Sequence, residues 1–299
     1  VRFYRELAPE IGVGTAHCYF AHYDRERGRF CLLLEDLSPA RSADIVAGLS
    51  FEQAKVVLEQ IAALHARWWN RVDEVAWLLL SEQMVRTLRD RFVASLPRFT
   101  ERFGAQYPEL TKIAAQMGEL LTGDELLGKL SEPPLTLAHN DLHLNNVFLP
   151  SEAGGHFALI DWQGVSGSRH GTTDVARILC MGMRPEERRA HTDALLRHYH
   201  QALCRHGVRG YSLRSLRRRY REEMTAAVII GVLAFDTLDF DVPGGQLAAT
   251  MIGQRVDLAL RDARVGRLLL LMLVMIRIRR FFARIFGGSK ALGPGTGPP

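Results

Sequence analysis

Leu137-Ala-His139-Asn140-Asp141-Leu-His143-Leu-Asn-Asn146-Val-Phe-Leu149, answered by Phe157-Ala-Leu-Ile-Asp161-Trp-Gln163, is the stretch that decides the fold of this chain. Apolar residues flank a dense polar centre in the first segment, and the second is an apolar run that delivers one carboxylate at its end. Short apolar runs between turn residues read as strands, so Leu135–Ala138, Val147–Leu149 and His156–Ile160 are expected strands. Residues 139–146 then form a loop, and Gly154-Gly155 a turn.

Phosphoryl transfer asks for few parts. One carboxylate accepts the proton of the attacking hydroxyl, while an oxygen ligand and a second carboxylate hold the magnesium that bridges the nucleotide phosphates. Asp141 is the candidate base. Asn146, five residues on, offers an amide oxygen to the metal, and Asp161 arrives from the neighbouring strand. Asp and Asn are also ordinary turn residues, and the combination carries the argument: a His two residues before Asp141, the five-residue spacing, the strand after it and Asp161 close behind. A rival reading projects His139, Asp141 and His143 from an extended segment, with Asp161 as fourth ligand of a zinc-type site. It leaves Asn146 without a role, and no second His pair stands at ligand spacing.

The loop resembles the kinase catalytic core H-x-D-x-x-x-x-N followed by a metal-binding Asp, in the variant with His-Asn-Asp and Ile-Asp-Trp. It is similar to the aminoglycoside phosphotransferase and choline kinase group of small-molecule kinases. With Leu64-His65-Ala66-Arg67-Trp68-Trp69, the chain most resembles the ecdysteroid-kinase-like branch. That resemblance implies ATP and Mg2+ as cofactors and a small-molecule alcohol as acceptor. It places the adenine-binding hinge at Glu35 and Leu37, gives His139 a scaffolding role in the loop, and sets His143 where protein kinases carry a phosphate-contacting Lys. It also implies that Asp174 braces the loop from the helix beneath. His65 reads as a structural residue within an amphipathic helix.

The pattern departs from the family at the front. No Gly-rich phosphate turn is present, and no Lys precedes Lys55. The resemblance therefore implies an α+β, protein-kinase-like two-lobed fold with a truncated N-terminal β lobe and a large, mostly helical C-terminal lobe. Residues 1–37 would be the lobe remnant and hinge, 38–286 the catalytic lobe, and 287–299 a disordered tail. Two functions follow: a phosphotransferase moving the γ-phosphate of ATP to an alcohol, or an inactive kinase-like binding protein.

Composition sets modest bounds. The 299 residues are 47% hydrophobic with net charge +5, a mild attraction for anions and no argument for nucleic acid. The four cysteines are scattered, with no C-x-x-C pair, which fits a cytoplasmic location. Charges in Val1-Arg-Phe-Tyr-Arg-Glu interrupt any apolar signal core. Oligomeric state has no signal.

Elsewhere the periodicities predict a helix end over 1–10, a hairpin of strands near 16–23 and 30–35, and helical chain from Ser38 with a cap at Ser50. Helices are expected over 81–130, broken at Pro97 and around Gly104 to Pro108, then from Gly171 and over 186–206 and 212–236. Asp236, Asp239 and Asp241 are candidate contacts for a cationic acceptor. One last helix is expected from Gln246 into Leu268–Ile276. Nine apolar residues are well short of the ~20 that span a bilayer, and the Arg-rich flanks would allow weak contact with an anionic membrane surface.

Overall fold

The computed structural model describes residues 1–121, 132–237 and 245–286. The end of the expected helical insert, Asp239, Asp241 and the tail 287–299 lie outside these, as does the side chain of Asp236.

A π-helical turn over Phe3–Leu7 passes into a 3-10 turn at Ala8–Glu10, with Phe3 and Leu7 buried as their spacing predicts. Strands β1 (Cys18–Asp24) and β2 (Arg29–Leu34) form the expected antiparallel hairpin. Asp24 Oδ1 accepts the amides of Glu26 and Arg27 and fixes the turn. Chain after Ser38 is extended rather than helical. Arg41–Ser42 is a short strand, β3, and the first long helix waits for Ser50.

Helix α1 (Phe51–Arg67) begins with a full capping box, Gln53 N donating to Ser50 Oγ at 3.3 Å and Ser50 N to Gln53 Oε1 at 3.0 Å. Such a cap is worth about 1 kcal/mol. Ala54, Val57, Leu58, Ile61 and Leu64 make its buried stripe, which lies along α5 (Pro185–Arg205). Helix α2 (Glu82–Phe103) runs through Pro97 without breaking, contrary to the sequence expectation. A helix-interior proline costs about 3 kcal/mol, and the buried face of Phe92, Phe99 and Phe103 offsets that. Helix α3 (Pro108–Leu121) follows after the expected break.

The central stretch folds as short antiparallel pairs. Strand β4 (Thr136–Ala138) pairs with β7 (Ser166–Arg169), while β5 (Val147–Leu149) lies between β3 and β6 (Ala158–Leu159). The sequence did not mark β7. Helix α4 (Thr172–Gly182) is buried on every side and carries Asp174 and Arg177 inward, so both must find partners there. Helices α6 (Leu213–Thr237), α7 (Gly245–Asp262) and α8 (Val265–Phe286) complete the fold, with α4 packed on α6 and α3 on α8. The single final helix expected from the sequence is two, parted at Arg264, whose φ is +55°. Among the described residues no helix is long and apolar enough to cross a membrane.

Candidate active site

The loop 139–146 hangs between β4 and β5 and is tied down by α4. Asp174 Oδ2 accepts the His139 amide at 2.7 Å and Oδ1 the Asn140 amide at 2.9 Å. His65 reaches the same carboxylate from α1, Nε2 to Oδ2 at 3.2 Å, and its Nδ1 meets the Tyr199 hydroxyl at 2.7 Å. A carboxylate only accepts, so His65 carries its proton on Nε2 and Tyr199 donates to Nδ1. Burial alone would raise the Asp174 carboxyl, but the hydrogen bonds it accepts from His65 and from the His139 amide hold it below the usual carboxylate range. His65 is thus a buried helical residue that reaches the loop through Asp174.

His139 is fully buried. Its Nε2 donates to Ile160 O at 2.9 Å, the residue before Asp161, and its Nδ1 accepts the Asp141 amide at 3.2 Å. Burial pushes its pKa down, so the ring is neutral at pH 7. Asn140 stands at φ +59° and its side-chain amide donates to Gly164 O at 3.0 Å. These bonds clamp the loop to the segment after β6.

Asp141 faces a partner the sequence reading missed. Arg177 Nη2 donates to Asp141 Oδ1 at 2.5 Å, and Nη1 to Asn140 O at 2.7 Å. The available signal was the spacing, since Arg177 follows Asp174 by three residues and shares its helix face. Burial lowers the Arg177 pKa and the Asp141 charge opposes that. His143 Nε2 lies 3.9 Å from Asp141 Oδ1, with its pKa also drawn down by burial.

Asn146 is buried and donates Nδ2 to Asp141 O at 2.9 Å, with His143 Nε2 at 3.1 Å. That leaves its Oδ1 as the free acceptor. Ile160 N donates to Asn146 O at 3.1 Å and brings Asn146 alongside Asp161. Asp161 stands in the left-handed region at φ +60°, ψ +62°, exposed, with one long contact from Gln163 Nε2 at 3.3 Å. Left-handed backbone in a non-glycine residue is costly and is held by its surroundings. Here Trp162 supplies them, donating Nε1 to Thr15 Oγ1 at 3.0 Å and stacking on Phe3 at 4.5 Å.

A cleft of about 820 Å³ runs between the hairpin and this segment, lined by Phe30, Leu32, Glu35, Leu37, Asp161 and Trp162 among others. The structure thus brings Glu35, Leu37 and Asp161 to one wall. Asp141, His143 and Asn146 do not line it and connect to it through the bond between Asn146 and Ile160. The Glu35 amide is taken by His17 O at 2.8 Å. Its carbonyl and the Leu37 amide have no partner among the described residues.

The amide oxygen of Asn146 and the carboxylate of Asp161, linked through the bond from Ile160 N to Asn146 O, are hard oxygen donors of the kind magnesium takes. The zinc alternative does not survive the geometry. Among the described residues no three His, Cys, Asp or Glu side chains converge on a metal position, and both His139 nitrogens are already hydrogen-bonded.

Several known proteins are similar to this chain. A kinase-like protein of Caenorhabditis elegans is 29% identical over 197 residues, 64% of this chain and 52% of its own length, so the chain spans about half of that relative. An ethanolamine kinase of Plasmodium vivax superposes with a TM-score of 0.51 at 12% identity, over 85% of this chain and 70% of its own, which shows a shared fold. A macrolide 2'-phosphotransferase of Brachybacterium faecium matches at a TM-score of 0.43 and 15% identity, over 84% and 77% of the two chains. The profile of the ecdysteroid kinase-like family matches residues 2–208, and the chain belongs to that family.

Proposed function

We propose that this chain moves the γ-phosphoryl group of ATP to the hydroxyl of a small alcohol, with Asp141 as base and Asn146 and Asp161 as magnesium ligands. The observation that carries the reading is Asp161, held in a left-handed conformation on the wall of the cleft that Glu35 and Leu37 also line. Adenine would lie against the Glu35 carbonyl and the Leu37 amide. Magnesium, when bound, neutralises charge on the phosphate oxygens.

The residues then divide the work. Asp141 takes the hydroxyl proton as the alcohol oxygen bonds to the γ-phosphorus; the bond from that phosphorus to the bridging oxygen breaks, and ADP leaves. Arg177 and the Asn146 amide fix Asp141 in place, and positioning of this kind is a large share of catalysis in phosphoryl transfer. His143, beside Asp141, is placed to contact the transferred group. The four cysteines are free, in keeping with a reducing cytoplasm.

One observation favours the second reading, a kinase-like protein that binds without turnover. Asp141 already shares an oxygen with Arg177 at 2.5 Å.

Calorimetry of ATP with magnesium on the chain and its Asp161→Ala variant tests the nucleotide site, with micromolar binding expected and lost in the variant. Release of ADP in the presence of small alcohols and amino alcohols then separates the readings. Turnover abolished by Asp141→Asn with ATP binding retained supports transfer. ATP binding without turnover for any acceptor supports the second reading, and absence of ATP binding overturns the first and leaves a kinase-like relative that binds another ligand or partner.

A further inference from the structure

Away from the catalytic loop, α2, α3, α6 and α8 enclose a cavity of about 130 Å³. Leu88, Met117, Leu120, Ile229, Leu269 and Met272 supply most of its wall, and none of Asp141, Asn146, Asp161, Glu35 or Leu37 touches it. An apolar space with a few polar groups at one end is the usual form of a small-molecule site.

The charged groups that also line it can be accounted for one at a time. Glu223 is fully engaged, Oε1 with His170 Nδ1 at 2.7 Å and Oε2 accepting from Thr173 Oγ1 at 2.9 Å. Arg219 pairs with Glu222 at 3.2 Å and Glu132 at 3.5 Å, and Arg89 with Asp90 at 2.9 Å. Arg169 is the exception. It is partly buried at the end of β7, its Nε is buried without a partner, and no hydrogen bond or ion pair reaches its guanidinium among the described residues. Burial pulls its pKa down, with only the more distant charges of Glu223 and Asp174 to oppose that. A buried guanidinium nitrogen without a hydrogen-bond partner is unfavourable, and a carboxylate is the group its planar fork matches best.

We propose that this cavity is a second binding site, separate from the phosphoryl-transfer residues, that takes a small apolar carboxylate with its head on Arg169 and its hydrocarbon body beneath α8. A cavity of roughly 150 Å³ is known to hold benzene, so the size suits benzoate or hexanoate. The site does not depend on ATP use. It does border the support of the catalytic loop, because Glu223 holds Thr173, the neighbour of Asp174 in α4.

Calorimetry of the full chain with hexanoate and benzoate, and with hexanol and benzyl alcohol as neutral counterparts, is the test. Tighter binding of the acids is expected. Arg169→Met should weaken the acids by at least about tenfold while leaving the alcohols, and Met272→Trp, which fills the space, should remove both. Circular dichroism checks that each variant folds; if Arg169→Met does not, Arg169→Lys and Met272→Trp decide. No binding of any probe at millimolar concentration, binding that survives Met272→Trp, or an equal loss of acids and alcohols in the Arg169 variant overturns the site. Displacement of hexanoate by ATP overturns its separateness.

Discussion

Arg177, rising from the buried helix α4, holds the carboxylate of Asp141 at 2.5 Å and the carbonyl of Asn140 at 2.7 Å with the same guanidinium. The pair fixes the candidate base and the strained turn before it in one step. Removing the cation leaves Asp141, a quarter exposed, without its partner and Asn140 O without a donor. Arg177→Met should lower stability by roughly 2 kcal/mol, less than for a fully buried pair because water reaches Asp141. Urea midpoints read that loss. With any alcohol that supports ADP release, kcat should fall at least about tenfold with KM for ATP little changed, since the residue positions the base and touches no nucleotide group. An unchanged midpoint and kcat would remove Arg177 from the argument.

Acid should unfold the chain in two stages. His139 and His143 are drawn below 6.5 by burial, so the native state favours their neutral forms. Their contribution is complete above pH 6.5 and is lost as pH falls toward their lower native values. Asp174 is held below 3.8, so its contribution is complete above that value and lost as pH falls through the native one. Urea midpoints should therefore decline on going below pH 6.5 and again below about pH 4. Asp174→Asn should be less stable at neutral pH and show a smaller second decline, since Asp262 is also held low. A midpoint that rises between pH 7 and pH 5 would contradict the assignment of buried neutral imidazoles.

Much of the site was legible because its signals are local. The change from apolar run to polar loop marked β4, the loop 139–146 and β5, and a serine before an apolar stripe marked the start of α1. What escaped depends on the rest of the molecule. Arg177 shares a helix face with Asp174, yet nothing in sequence says that the face meets Asp141. Ser166-Gly-Ser-Arg169 has little strand preference of its own and is a strand because β4 offers it an edge. Pro97 stays helical because the aromatic face of α2 is buried, and the break between α7 and α8 falls at an arginine in a left-handed conformation, where sequence would lead one to look for glycine.

Two glycines should respond to alanine with opposite signs. A β-carbon on Gly171 would lie 2.6 Å from His65 Nδ1 and 2.7 Å from the Tyr199 hydroxyl, inside the bond that orients His65. Gly171→Ala should destabilise by about 1–3 kcal/mol through overpacking. Gly231, within α6, has nothing within 4 Å of that position, so Gly231→Ala should gain about 0.5–1 kcal/mol from helix propensity. Thermal midpoints of the two variants check both signs, and a stable Gly171→Ala would mean that the His65–Tyr199 contact is looser than its 2.7 Å suggests.

Helix α8 is apolar on two sides, and among the described residues only one is covered. Leu269 and Leu273 face the core, while Leu270, Leu271, Val274, Met275 and Ile278 are exposed, Leu271 by 65%. Their spacing of i, i+1, i+4, i+5 and i+8 makes one continuous stripe. Arg264 and Arg267 stand exposed at its start, and Arg277 near its far end is paired with Glu119. Apolar residues with cations beside them suit the surface of an anionic bilayer better than a neutral one. The chain should sediment with vesicles of phosphatidylcholine and phosphatidylserine and remain free of vesicles of phosphatidylcholine alone, with binding reduced by 0.5 M salt on the order of tenfold or more. Leu271→Glu with Met275→Glu should abolish sedimentation and leave the urea midpoint in place, because neither side chain is in the core. A chain that ignores both vesicles but forms a dimer by light scattering, dispersed by the same two substitutions, would assign the stripe to a second copy of the molecule instead.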